Sequence, residues 1–496
     1  MPVFQQGSVN TTALIVPDLY VQIVPPQVTL LNGVATNIIG IVGTSSWGPT
    51  NVPTLFWDMS SYSANFGPIK AQKYDMGTAV AAAVLQGANN FRGVRVTDGT
   101  DIAAVITFTM TSAPIAQAVA NAINLGISSR RGPSALVVAT VSTTTLTITA
   151  LYTGTLGNTI SVSVGPGSAA ATTSISIAMA GGIPEVFDNI GNITTTASTK
   201  MLANGTDGTT TITASVLVGL DTTPRKGMYA LRATGASLGV LVDADDPTTW
   251  STQVAFGLSE GVYMICVGPA GQTVTTASTA KAAASCDSYA AKVMMGDWCF
   301  FQDNVNNQLR LISPQGFVVG RLANLSPEQS SLNKPIYGIV DTQATYANKI
   351  YSSAELAILV GAGIDVICLP QPGGNYYGCR VGHNSSSNVA INGDNYTRMT
   401  NYIAYTLNSG MGIFLGRLGS VQERGEAWAT LDTFFSKMKF RKPEPMIDDY
   451  TVDPIPPLSN GFQICSVHIK YLDIVEKFII NVEGGSSVQI TRITAN

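Results

Sequence analysis

Residues 462–496 read FQICSVHIKYLDIVEKFIINVEGGSSVQITRITAN, and how this stretch pairs decides the fold. Phe462, Ile464, Ser466, His468 and Tyr471 to Ile474 place β-branched and aromatic residues at roughly period two, which predicts a strand. Lys477 to Val482 is a second apolar run. Gly484 and Gly485 follow as a hinge, because glycine has no Cβ to restrict φ. Beyond it, Val488, Gln489, Ile490, Thr491, Arg492 and Ile493 form a terminal strand with no partner in its own segment. A strand behind a hinge presents unpaired N–H and C=O groups, which find another sheet edge. That edge lies either in another copy or in the chain's own last domain.

The totals bound the alternatives. The chain has 496 residues, enough for roughly three domains. It is 45% hydrophobic and only 12% charged, with a net charge of −4. No broad field attracts nucleic acid or acidic lipid. Low charge with 48 glycines suits surfaces that are covered in an assembly, whereas a solitary enzyme needs more charge. Six cysteines are scattered without CxxC spacing and read as buried thiols of a protein folded in a reducing cytoplasm. The opening MPVFQQGSVNTT has no positive, apolar leader, which predicts no secretory signal. No run of about 18 apolar residues predicts a membrane span.

In order, residues 1–27 mirror the far end. Ala13 to Val16 and Leu19, Tyr20, Val21, Gln22, Ile23 and Val24 are strand-like pieces separated by proline, an extended N-terminal arm. It reaches up to roughly 90 Å, and the segment after Gly484 roughly 40 Å. Residues 28–100 are the first part of an α/β core: a buried strand at Ile38–Gly43, an aromatic loop at Tyr62–Pro68, a small-residue helix at Gly77–Gln86 and a strand at Phe91–Val96. Residues 101–220 hold seven charges in 120 residues, while the last 76 residues hold eighteen. Short Thr/Val/Ile strands at 145–150, 159–164, 174–177 and 210–218, with one helix near Ala116–Asn124, predict an inserted β-rich outer domain, a sandwich or barrel. Residues 221–420 alternate strands with helices and complete an α/β sandwich around a partly parallel sheet. Strands are expected at 262–267, 298–301, 336–340, 366–369 and 413–415, and helices at 277–295 and 352–360, the latter opened by a Ser352–Glu355 capping box. Tyr396, Met399, Ile403 and Leu407 share one helical face. Residues 421–483 form a C-terminal inner domain, with a helix over Glu426–Lys442 that buries Trp428, Leu431, Phe434 or Phe435, and Met438. The arm 484–496 follows.

Chemistry-bearing patterns are weak. Gly257-Leu258-Ser259-Glu260-Gly261 matches G-x-S-x-G, but its apolar strand comes after the match instead of before it. His383 and His468 are the only histidines. Gly268-Pro269-Ala270-Gly271 reads as a strand-to-loop turn, not a phosphate loop. Asp243, Asp245 and Asp246 have the residue type of a hard-cation site, yet Asp246-Pro247 is also a turn opening. No catalytic, cofactor or metal residue is expected.

The ordered set IIGIVGTSSWGPTNVPTLFWDMSSYSANFGP, an alanine-rich helix and NNFRGVRV resembles the N-terminal half of contractile phage tail sheath proteins, which carry a Gly-Pro turn, a Phe-Gly loop and a VxRV strand in that order. Ala362–Ile367 and Tyr377-Gly378-Cys379-Arg380 resemble the family's "GIN" strand and "WGxRT" turn, with Tyr for Trp and Val381 for Thr: a divergent, myovirus-type branch. Tyr152–Asn158 resembles a motif of the inserted outer domains. The resemblance implies a structural subunit of a bacteriophage or phage-derived tail, not an enzyme. It implies hexameric rings of this chain stacked helically around a tail tube, with baseplate and tail terminator proteins at the ends, no direct nucleic acid, no membrane and no cofactor. It implies assembly in the host bacterial cytoplasm, and contraction that drives the tube through the host envelope. Both arms would add strands to sheets of neighbouring subunits, and Lys437, Lys439, Arg441 and Lys442 would face the tube; a solvated helix end also accounts for that cluster. The other classes are an α/β enzyme with a β accessory domain and a surface adhesin.

Overall fold

The structure is a computed structural model that describes residues 3–6, 20–23, 31, 33–126, 134–166, 169, 172–191 and 198–479. The chain divides into two compact units, Leu31–Leu415 and a second comprising Met1–Leu30 with Gly416–Asn496.

The larger unit is built on a seven-stranded sheet. Its order is Ile364–Asp365, Ala291–Met294, Tyr263–Val267, Leu238–Leu241, Ile39–Gly43, Phe91–Arg95 and Thr54–Phe56. All neighbours pair in parallel except Thr54–Phe56, which runs antiparallel at one edge. Both faces are covered, so the central strands read as continuous apolar runs such as Ile39–Gly43 and Tyr263–Val267, buried at every residue. One face packs against the helices Met76–Val84 and Gln315–Ala323. These two helices touch backbone to backbone: a Cβ on Gly320 would lie 2.5 Å from the Ala83 Cα. The small residues of the Met76–Val84 helix follow from that approach. The other face packs against Ala214–Val218, Trp250–Glu260, Val274–Ala283 and Ser353–Gly361.

Four local expectations give way. Tyr62–Pro68 is not a loop: Met59–Phe66 is a helix, opened by a capping box between Asp58 and Ser61, and Tyr62 and Phe66 are its buried plug. The helix expected over 277–295 stops at Ala283, and Ala291–Met294 is a sheet strand. An apolar run this short fits either period, and the sheet decides. Within 210–218 the regular element is the short helix Ala214–Val218, and Met411–Phe414 is a 3-10 turn where a strand was expected. The Ser352–Glu355 capping box forms as expected.

Residues 105–201 contribute two sheets and the helix Ala113–Leu125. Val105–Thr109, Thr145–Ala150 and Val137–Ser142 form one; Glu185–Ile190, Thr173–Ala178, Ser161–Pro166 and Ser198–Met201 the other. They share a core that includes Ile123, Leu146, Ile148, Val162, Ile177 and Phe187. Arg95, fully buried at the end of its strand, ties this region to the large sheet. Its guanidinium donates to the carbonyls of Ser45, Gly48, Thr153 and Asp207 and to the Thr153 hydroxyl.

A buried ionic network closes the far side of the sheet. Lys292 Nζ lies 2.6 Å from Asp365 Oδ2 and 3.1 Å from Asp394 Oδ1, with all three side chains inaccessible. Asp365 also accepts from the backbone N–H groups of Val366, Val381 and Gly382. Asp394, the first residue of the helix Asp394–Gly410, accepts from Tyr263 Oη at 2.5 Å and from Ser331. Burial alone would push the Lys292 ammonium down, but the two carboxylates outweigh it and hold it up.

Candidate assembly interface

The second unit shows the opposite condition. Its helix, Val421–Lys439, begins five residues before the expected start because Ser420 caps it, accepting from the Glu423 N–H. The S-x-x-E pattern Ser420–Glu423 is a helix-start signal present in the sequence. Ala427, Thr430, Leu431, Phe434, Phe435 and Met438 form the buried stripe. Trp428 is 38% exposed, its Nε1 donating to the Val452 carbonyl at 3.1 Å.

That stripe packs on an antiparallel hairpin of Ile447–Val452 and Val467–Tyr471. Phe435 meets the Tyr450 ring at 5.7 Å, and Tyr450 Oη donates to Asp432. The expected 462–474 strand is thus shorter, and its inward residues are Val467, Ile469 and Tyr471. Ser466 and His468 lie on the other parity, and Phe462 and Ile464 fall outside the strand, 73% and 66% exposed. The partner strand, Ile447–Val452, was not anticipated, because Asp448 and Asp449 interrupt its apolar alternation. A bulge between Ile447 and Asp449 accommodates them.

Among the described residues no third strand pairs with either edge of this hairpin. A two-stranded sheet is marginal by itself. After Tyr471 the chain runs to Ile479 without regular structure, and Val475, Phe478 and Ile479 are 75%, 82% and 81% exposed. The expected second strand over 477–482 is therefore absent at 477–479; residues 480–482 lie outside the described residues. So do the hinge Gly484–Gly485 and the arm residues Val488, Gln489, Ile490, Thr491, Arg492 and Ile493. Of the N-terminal arm, Tyr20–Ile23 is a strand, paired in parallel with Val3–Gln6, a pairing the sequence did not suggest. Leu19 and Val24 lie outside the described residues.

The four cations gather at the helix end. Lys437 and Lys439 sit in its last turn, and Arg441 and Lys442 just beyond. Lys437 and Lys442 are exposed. Lys439 Nζ is 2.7 Å from Asp449 Oδ1, a contact that raises the ammonium and lowers the carboxylate from their ordinary values. Arg441 Nε donates to the Glu444 carbonyl. On the outer hairpin face Lys470 pairs with Asp448 at 2.6 Å. This surface offers mixed charge beside a sheet that has two strands among the described residues.

The remaining sequence candidates have structural duties. Ser259 lies inside the helix Trp250–Glu260, and its hydroxyl donates to the Phe256 carbonyl, so the G-x-S-x-G match is not a strand-to-helix elbow. Asp243 binds the Ser313 N–H, Asp245 pairs with Lys73, and Asp246 caps the turn at Pro247. Among the described residues no group of three or more His, Cys, Asp or Glu converges to hold a metal, and no helix is long and apolar enough to cross a membrane.

No family model matches the sequence, and no curated protein matches it. Solved structures do. The sheath tail protein of Desulfitobacterium hafniense is 13% identical, with a TM-score of 0.55 over 92% of this chain and 100% of that one. The chain has the tail-sheath fold. The sheath tail protein of Listeria innocua gives 12% identity and a TM-score of 0.56, covering 89% of this chain and 96% of its own. The sheath of an extracellular contractile injection system, solved in its contracted state, gives 10% and 0.54, covering 96% and 99%. The sheath fold thus extends over nearly the whole chain, and the VxRV arginine of the resemblance is the buried tie Arg95. The YGCR turn holds the two-residue strand Gly378–Cys379, which pairs with Ile367–Cys368.

Proposed function

We propose that this chain is the sheath subunit of a contractile tail, in a bacteriophage or a phage-derived injection particle. The observation that carries the reading is a sheath fold over nearly the whole chain together with a two-stranded hairpin that, among the described residues, has no third strand beside it. In this reading Leu19–Val24, whose Tyr20–Ile23 strand pairs with Val3–Gln6 of its own copy, brings its other edge to a neighbour's hairpin, and Val488–Ile493 adds a strand to another. Gly484 and Gly485 let the second arm keep its pairing while the rigid larger units move. Each backbone bond nets about 0.5–1.5 kcal/mol, and apolar side chains add about 25 cal/mol per Å² buried, so several bonds per arm hold a tether through rearrangement. Six-membered rings of the chain stack around a tube, with Lys437, Lys439, Arg441 and Lys442 toward it, and meet baseplate and terminator proteins at the ends. Contraction exchanges interfaces between a long and a short lattice and drives the tube through the host envelope. The energy is stored in folded interfaces, so the mechanism needs no nucleotide.

Negative-stain microscopy of the purified chain tests this. Tubes with a regular helical repeat are expected. A chain that stays monomeric at high concentration and in the presence of its own tube protein would overturn the reading.

A further inference from the structure

Lys292 is placed to do more than balance charge. Lys73, Lys349, Lys439 and Lys470 also meet carboxylates, but their side chains are 32–70% exposed, so water competes for both partners. Lys281 is buried, yet it donates to two backbone carbonyls, those of Ala362 and Ser385. Lys292 alone of these six is both shut from water and set against a carboxylate: its Nζ lies 2.6 Å from Asp365 Oδ2, and both side chains are inaccessible. The sheet holds the two in place. Met294 and Asp365 are register partners, and Lys292, two residues before Met294, projects from the same face.

The surroundings match what amide formation requires. Nζ touches an oxygen bonded to the carbon that an amine attacks, held in one orientation and away from water, where intramolecular condensation gains most. The N–H groups of Val366 and Val381 both donate to Asp365 Oδ1, at 2.8 and 2.9 Å. They are placed to hold the negative charge that gathers on that oxygen as the carbon becomes tetrahedral. The Gly382 N–H donates to Oδ2, the oxygen that faces Nζ. Asp394, 3.1 Å from Nζ, is the base that takes a proton from the ammonium and frees its lone pair. Tyr263 and Ser331 donate to Asp394 and fix it there. The balance closes without a co-reactant. The Nζ–Cγ bond forms and the Cγ–Oδ2 bond breaks; of the three ammonium protons, one stays on the amide nitrogen and two leave with Oδ2 as water. Asp394 ends as it began.

We propose that Lys292 and Asp365 condense into an isopeptide bond, with Asp394 as the proton carrier. The ion pair is the folded precursor, and the bond ties the two-residue edge strand Ile364–Asp365 to the body of the sheet. The test is the intact mass of the purified full-length chain, measured denatured and followed by peptide mapping. A mass one water below the sequence value is expected, with a branched peptide that joins Lys292 to Asp365. Lys292→Arg and Asp394→Asn, each checked as folded by circular dichroism, are expected to show the full mass. A folded wild-type chain of full mass would overturn the bond, and so would a missing water that maps to one unbranched peptide, as a cyclic imide does. Water loss by folded Asp394→Asn equal to that of the wild type would remove Asp394 from the step. The wild-type mass decides even where a variant does not fold, and the sheath reading stands apart from it.

Discussion

The two ends of the Ala291–Asp365 neighbourhood and the hairpin at Ile447–Tyr471 are made by one chain under opposite rules. At Lys292 every charge is met: the ammonium has two carboxylates, and the carboxylates have backbone N–H groups, a tyrosine and a serine. At the hairpin, a two-stranded sheet is backed by one helix, and the chain beyond it leaves Val475, Phe478 and Ile479 in water. A region that completes its own bonds folds alone. A region that leaves edges and apolar side chains uncovered is suited to completion by others.

The largest expected effect breaks the completed side. Lys292→Met strands two buried carboxylates, and loss of one partner of a buried pair costs about 3–5 kcal/mol. Chemical denaturation is expected to show that loss, and a loss below about 1 kcal/mol would mean the network is solvated. Phe435→Ala applies the same test to the hairpin. Truncating a buried phenylalanine costs about 3–5 kcal/mol where the site cannot collapse. With only one helix over two strands the expectation is the lower end, read as faster hydrogen exchange confined to residues 427–471.

A pH effect sharpens the contrast. Asp75 caps the Met76–Val84 helix and is fully buried, and burial raises its carboxyl from 3.8 to about 7 against the pull of Thr78 and Arg310. Below pH 4 folded and unfolded states both hold this proton. Between pH 4 and 7 only the folded state does, so stability drains as pH rises and the loss is complete above 7. Asp75→Asn is expected to remove this slope, gaining on the wild type by at most about 1.4 kcal/mol per unit across that window. Parallel stability curves for the two proteins would contradict it. The smallest effect belongs to the exposed pair Lys439–Asp449: Lys439→Ala is expected to leave the unfolding midpoint unchanged, and, if the proposed tube-facing role holds, to weaken binding to a tube protein at low salt.

The buried core was legible because continuous apolar strands and capped helices obey local rules. Ile39–Gly43, Phe91–Arg95, Thr145–Ala150 and the Ser352 cap fall where residue type places them. What escaped depended on partners distant in sequence. Ala291–Met294 is a strand because the Tyr263–Val267 strand lies beside it, and Lys292 is tolerated there only because Asp365 and Asp394 arrive from 73 and 102 residues away. The hairpin strand Ile447–Val452 was hidden by two aspartates that a bulge absorbs. The cation cluster was visible as composition, but the pairing of Lys439 with Asp449 was not, since it depends on that unseen strand.

The central claim is that this chain's ends are completed by other copies, and a high-resolution cryo-EM map of the assembled chain tests it most directly. The account predicts that Val488–Ile493 of one copy runs as an added strand along an edge of the Ile447–Tyr471 hairpin of another. A map in which both ends bond only within their own copy, inside an otherwise regular tube, would contradict it.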